Sequence, residues 1–209
     1  ATYHLLAAYR DFPKVFGDEK QANGLDGRNG RADVLDEAKW GLDWLLKMHP
    51  KDDWMFNQIG DDRDHMGMRI PKEDTNYYGP GLDRPVYFIN GEPQQRGKFM
   101  NATTGTSSTA GKFSSAFSLG SYIFRREYEL SGNKREYMRY SELLMSKAGS
   151  AFKSGRRKPG NTQTVSVRSP YIYAEDNWVD DMELAAASFY TSIKPHQRNY
   201  NNIELADSF

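Results

Sequence analysis

The 209-residue chain has no cysteine. That excludes a disulfide scaffold, a thiolate metal site and a cysteine nucleophile. It also has no surplus of either charge, because 28 Lys and Arg balance 28 Asp and Glu. Nucleic acid held by bulk charge needs an excess of cations against phosphate, so no nucleic-acid partner is expected. The same balance argues against a disordered acidic tail. No apolar run reaches the ~18–20 residues of a membrane span. Only four histidines are present, scattered along the chain, and they do not read as a metal site. No Ser-His-Asp arrangement can be assembled from the spacing.

What the chain does have is aromatic rings in a polar background. Mean hydropathy is −0.81, yet 13% of residues are Phe, Trp or Tyr. Disordered chains lack aromatics, so this one folds. Its length suits one domain, or a piece of a larger one, at ~100–200 residues per domain. Rings among polar groups suit a surface that grips a flat, hydroxyl-rich ligand such as a sugar. The plainer reading is that Tyr and Phe supply the core.

Periodicity predicts mostly helix. Residues 1–10 read as the end of a helix through Leu5, Leu6 and Tyr9, stopped by Pro13. Four glycines mark 17–31 as a loop. Residues 33–48 give the clearest helix, with Leu35, Ala38, Leu42, Leu45 and Leu46 at three- and four-residue steps. Acids in its first turn and Lys47 and His49 at its end suit the helix dipole. Trp40 and Trp44 flank its apolar stripe and are expected to pack on a neighbouring helix. Residues 51–108 carry no sustained period and many Gly and Pro, apart from one short strand at 84–90. A loop of this length is usually functional. Helices follow at 108–130 and 134–152, then a basic loop at 154–170. The next helix is capped by Asp176 or Asn177 and runs to about Ile193, with Val179, Met182, Ala186, Phe189 and Ile193 inward and Pro195 breaking it. A last helix is expected from about Asn199. Neither end carries a helix start or stop signal, as if the chain were cut inside elements. Helices joined alternately by short and long connections predict stacked antiparallel hairpins and an all-α fold.

Two polar clusters invite chemistry. Asp62, Asp64, Gly67 and Glu73 fall at positions one, three, six and twelve of an EF-hand loop. Met66, Ile70 and Pro71 spoil that pattern, so a charge-paired turn is the plainer reading. A ligand-contacting loop, with His65 and Arg69 donating to hydroxyls, lies between the two. The segment 175–183 sets five carboxylates around Trp178. Glycoside hydrolysis needs two carboxyl groups flanking a bond. Acids at a helix N-terminus, however, are stabilising in their own right. Asn101-Ala102-Thr103 fits a glycosylation sequon, a pattern common by chance. Gly27-Arg28-Asn29-Gly30 is no phosphate loop, because no strand precedes it.

Four segments together resemble one family. Leu35-Asp36-Glu37-Ala38-Lys39-Trp40-Gly41-Leu42-Asp43-Trp44-Leu45-Leu46-Lys47 is similar to a helix of glycoside hydrolase family 9, the cellulase family. Gln58-Ile59-Gly60-Asp61 through Asp64-His65 to Pro71 resembles its Gln-x-Gly-Asp…Asp-His…Pro segment. Thr109-Ala110-Gly111-Lys112 resembles the start of its Ala-Gly-Glu helix, and Asp180-Asp181-Met182-Glu183-Leu184 its Asp-Glu-Leu helix. The four stand in the family's order and span nearly the whole chain.

The resemblance implies an (α/α)6 toroid of six helical hairpins, with 1–209 as part of the catalytic domain and N- and C-terminal parts missing. It implies inverting hydrolysis of β-1,4-glucan, with no cofactor, at a groove open to solvent. The family's Asp pair and acid Glu have no counterpart here, so no catalytic residue is carried over. The chain alone is expected to be inactive and to need the missing parts of its own domain. His65 matches the family's groove histidine, while Met68 stands where a nearby tryptophan is expected. Trp178 is placed to stack on a sugar face, with Tyr77, Tyr87 and Tyr173 as weaker candidates. Many members hold calcium between the Glu and the Asp of the last two helices. Here those positions are Lys112 and Asp181, so no metal is expected and a Lys112–Asp181 pair is. Family membership implies secretion or a periplasmic location. A non-catalytic glycan-binding or toroidal interaction protein is the alternative, and another six-hairpin sugar enzyme, a lyase or unsaturated-glycoside hydrolase, a third.

Overall fold

Five helices form the frame among the described residues. They are α1 (Thr2–Asp11), α2 (Asp33–Met48), α3 (Ser107–Leu130), α4 (Arg135–Arg157) and α5 (Val179–Gln197). The computed structural model describes residues 1–63, 73, 75, 84–169 and 172–197, with side chains to 193. The expected helix from Asn199 lies outside these residues. The fold is all-α in frame, as its periodicity predicts.

The centre is α3, which is buried on nearly every side. Phe113, Phe117, Ile123 and Phe124 meet Leu6, Leu35, Leu42 and Leu144 in one core. Burying a side chain of this size stabilises by about 1.5–3 kcal/mol. Its small residues let neighbours come close. A methyl group on Gly111 would stand 2.6 Å from the Asp181 carbonyl oxygen, and one on Gly120 would stand 2.9 Å from a Leu42 methyl carbon. Several buried serines return their hydroxyls to backbone carbonyls. Ser114 donates to Ala148 at 3.0 Å, Ser121 to Ser141 at 2.8 Å, and Ser192 to Ser118 at 2.7 Å. These pairings carry little net stability, but an unpaired hydroxyl there costs about 1–3 kcal/mol.

The α3–α4 hairpin turns at Gly132 and Asn133, both at positive φ. The α2 helix ends on His49, a fully buried ring. Its Nδ1 lies 2.8 Å from the Trp54 carbonyl and its Nε2 3.0 Å from the Ser150 hydroxyl. These contacts bring the C-terminal ends of α2 and α4 beside the N-terminal end of α3.

Five details differ from the sequence reading. The long loop contains two ladders, β1 (Phe56–Ile59) with β2 (Val86–Phe88), and β3 (Gln95–Arg96) with β4 (Phe99–Met100), both antiparallel. A bulge between Phe56 and Gln58 breaks the two-residue alternation that would have marked β1. The α4 helix continues to Arg157, so the basic loop starts later than residue 154. The α5 backbone stays helical two residues past Pro195, because a proline near a helix end removes only one ladder bond. Trp40 does not pack inward as Trp44 does. It is 68% exposed at the edge of a cavity of about 540 Å³ that it shares with Tyr3, Trp44 and Leu184. Val179 is likewise exposed, and Ala185 takes the inward position on the first turns of α5.

Candidate functional site

The β1–β2 pair, the start of α3 and the stretches 158–169 and 172–178 meet at one end of the helical frame. No continuous ladder holds those stretches, so side chains do. Gln58 acts as a peptide group in side-chain form. Its Nε2 donates to the Val165 carbonyl at 3.0 Å and its Oε1 accepts the Val165 N–H at 2.7 Å. Asn101 Nδ2 donates to the carbonyls of Gln163 at 3.1 Å and Thr164 at 3.2 Å, and its Oδ1 accepts the Gln94 N–H at 2.9 Å. Both of its amide hydrogens are thus engaged and the residue is 5% exposed, so the sequon at 101–103 is a structural clamp in this fold.

Two adjacent carboxylates complete the hold. Asp62 accepts the N–H groups of Val167 at 2.8 Å, Arg168 at 2.7 Å and Ser169, and the Ser166 hydroxyl at 3.2 Å. Burial opposes its ionisation, but these donors prevail and hold its carboxyl below the usual range. Asp61 accepts Arg63 Nε at 2.6 Å and the Tyr87 hydroxyl at 2.7 Å. Burial is again outweighed by donors, and its pKa is lowered. With both oxygens of Asp62 engaged, the EF-hand reading loses its first ligand. Asp64 and Gly67 lie outside the described residues.

The predicted sugar-contacting residues divide by position. His65, Arg69 and Tyr77 lie outside the described residues. Tyr87 sits on β2 with its ring buried and its hydroxyl on Asp61, which together with burial pushes its pKa well up. Tyr173 is 66% exposed, and its N–H donates to the Thr164 hydroxyl at 2.8 Å. Trp178 is half-buried against the small cluster of Phe152, Met182 and Ala185. Tyr173 and Trp178 therefore share the clamped segment, and Tyr87 lies on the hairpin.

The N-cap expected at 176 or 177 falls one residue later, on Trp178, whose carbonyl accepts the Met182 N–H at 3.2 Å; Asn177 Oδ1 supports it by accepting the Val179 N–H at 3.1 Å. Lys112 on α3 reaches Asp181 on α5, with Nζ–Oδ2 at 2.6 Å, and also Glu175. The first contact is the pair expected from sequence. The second was hidden in an acidic run whose acids all looked alike. Burial opposes the charge on Lys112, yet the two carboxylates raise its pKa. Burial also raises Asp181, and Lys112 does not fully reverse it, because Glu175 and Asp180 add like charge. The two upward shifts thus have different causes, the paired carboxylates for Lys112 and burial first of all for Asp181. Calcium requires six to eight oxygens. A cationic nitrogen between the carboxylates does not fit that ion.

Antiparallel helical hairpins are the architecture that the four sequence segments imply; the clamped segment at one end is an addition of the structure. The glycosyl hydrolase family 9 model matches residues 1–207. The chain belongs to that family. Its all-α frame is that of the family's (α/α)6 toroid. It is 28% identical over 177 residues to Endoglucanase 6 of Arabidopsis thaliana, covering 84% of this chain and 24% of the relative. It is 27% identical over 192 residues to Endoglucanase 21 of Oryza sativa subsp. japonica, covering 91% of this chain and 30% of the relative. The chain thus spans about a quarter to a third of the length of these relatives.

Proposed function

We propose that this family 9 chain is part of the catalytic domain of a secreted or periplasmic endoglucanase-type enzyme that cleaves β-1,4-glucan with inversion. The match over residues 1–207 carries the reading. The endoglucanase names of the relatives support the substrate class. No helix among the described residues is long and apolar enough to cross a membrane.

In this reading the chain binds and orients glucan, and the proton-transferring carboxylates stand outside these 209 residues. An inverting pair needs one acid, one base and room for water, with the carboxyl groups about 6.5–9.5 Å apart. The buried carboxylates of this chain are ill suited to that work. Asp61 and Asp62 are both held ionised by several donors. Trp178 and Tyr173 supply flat rings for the axial C–H face of a glucose unit, whereas Tyr87, buried with its hydroxyl on Asp61, supports the hairpin from within and does not meet the sugar. The clamps from Gln58, Asp62 and Asn101 fix the height of that surface.

The test is hydrolysis of carboxymethyl cellulose and cello-oligosaccharides by the complete protein. Anomeric configuration is followed by NMR in the first minutes, and the 209 residues are assayed in parallel. Turnover by the complete protein with an inverted product, and none by the 209 residues, is expected. Glucose release from the 209 residues alone overturns the fragment reading. Glucan binding by the complete protein without turnover transfers the assignment to a non-catalytic glycan binder.

A further inference from the structure

We infer that Lys112 takes the place of a divalent cation at the α3–α5 junction, so that this chain joins Glu175 and Asp181 through an ammonium and not through calcium. The inference does not rest on the glucanase reading, since it concerns how two helices are held.

Three observations meet at this point. The Lys112 ammonium contacts both carboxylates, at 2.6 Å for Asp181, with the Ser108 carbonyl 3.5 Å away as a third neighbour. An ammonium is a compact point charge with three donors, which suits this arrangement. Next, the helices touch backbone to backbone one residue away. A methyl group on Gly111 would lie 2.6 Å from the Asp181 carbonyl oxygen and 2.9 Å from its Cβ. The approach of Asp181 is therefore fixed by packing. Finally, the residue facing the two acids is itself the cation. A bound ion needs a third carboxylate or several neutral oxygens there. No group of three or more metal-binding side chains occurs among the described residues.

The consequence is a junction indifferent to chelators and sensitive to salt. The lysine side chain is 52% exposed, so its ion pairs are screened as ionic strength rises. The same clamp fixes Glu175 and the first turn of α5, and so the stretch that carries Trp178. A protein using calcium here shows the reverse behaviour, losing stability to chelator and little to moderate salt.

The experiment is thermal melting of the complete protein in EDTA and in millimolar calcium, for the wild type, K112Q and K112E. The wild-type Tm is expected to be the same in both buffers. K112E places a third carboxylate against Glu175 and Asp181. It should melt lower in EDTA and recover saturably with calcium, by about 2–3 °C at a hundredfold excess over Kd for a protein of the relatives' length. K112Q should melt below the wild type with no calcium response, and the gap should close as sodium chloride is raised. A saturable calcium stabilisation of the wild type that D181N abolishes overturns the inference, as does K112Q melting with the wild type at low salt. The K112Q comparison decides the matter if K112E does not fold.

Discussion

Replacing Asp62 by Asn tests whether side chains hold the functional face. The carboxylate receives three backbone N–H groups and one hydroxyl from residues 166–169. An amide keeps one acceptor oxygen and presents an NH2 group to the remaining donors. A hydrogen bond to a charged group contributes about 1.5–3 kcal/mol, and a buried donor left unmade costs about 1–3 kcal/mol. Arg168 is exposed, so water can replace part of what is lost. Losing two of the four contacts, partly rehydrated, gives an expected cost of about 2–4 kcal/mol, confined mainly to 164–169. Amide hydrogen exchange on the complete protein reads this directly. Protection at Val167, Arg168 and Ser169 should fall by about one and a half to three orders of magnitude, at about 1.4 kcal/mol per tenfold. Protection in the middle of α3 should stay unchanged. Unaltered exchange at all three amides refutes the argument, and an equal loss throughout α3 shows that the clamp supports the whole core.

Other perturbations separate the frame from the clamps. G111A forces a methyl group to 2.6 Å from the Asp181 carbonyl oxygen, and overpacking of this kind costs about 1–3 kcal/mol, readable as a lower urea midpoint at unchanged m. Acid should weaken the fold in two stages. Burial first, together with Lys147, depresses the His49 pKa, so its contribution is present above the unfolded value near 6.5 and declines as pH falls below it. Asp61 and Asp62 are depressed acids, whose contribution is complete above the unfolded value near 3.9 and is lost as pH falls through their lower folded values. Urea midpoints at pH 7, 5 and 3 check the order, and a midpoint that rises on acidification contradicts it. The isolated 209 residues should be poorly soluble, because Trp40, Leu184 and Tyr190 remain exposed. A sharp monomeric melt of that piece opposes this expectation.

The helical frame was legible because burial imposes a period. Leu35, Ala38 and Leu42 repeat at helical steps, and each is fully buried. The same rule located Tyr137, Leu144 and Ala148 on α4. It overextended at Trp40 and Val179, where ring size and apolarity suggested burial without specifying a neighbour. The hairpin was half legible. Tyr87 faces in and Val86 and Phe88 face out, an alternation that three residues can barely display. The clamps were not legible at all. Gln58, Asn101 and Asp62 hold backbone groups of 163–169, across more than 60 positions for Asn101 and more than 100 for the other two. Periodicity cannot register an interaction between one side chain and a distant main chain. The Lys112 pair was predicted only because a family pattern placed an acid at that position.

The molecule therefore divides by the chemistry that holds it. Apolar contacts dominate the frame, and a single large-to-small change there, such as F117A, should cost about 3–5 kcal/mol and unfold it globally. Directional bonds to amides and carboxylates dominate the face that bears Tyr173 and Trp178. A face built from backbone near solvent needs its polar groups held at fixed positions, where apolar burial offers little. Gln58, Asp62 and Asn101 do so by standing in for the missing strand. Substitutions at these three should alter the geometry of the surface that bears Tyr173 and Trp178 before they alter global stability. If Q58A lowers the urea midpoint as much as F117A does, the division between frame and face is wrong, and the hairpin belongs to the core.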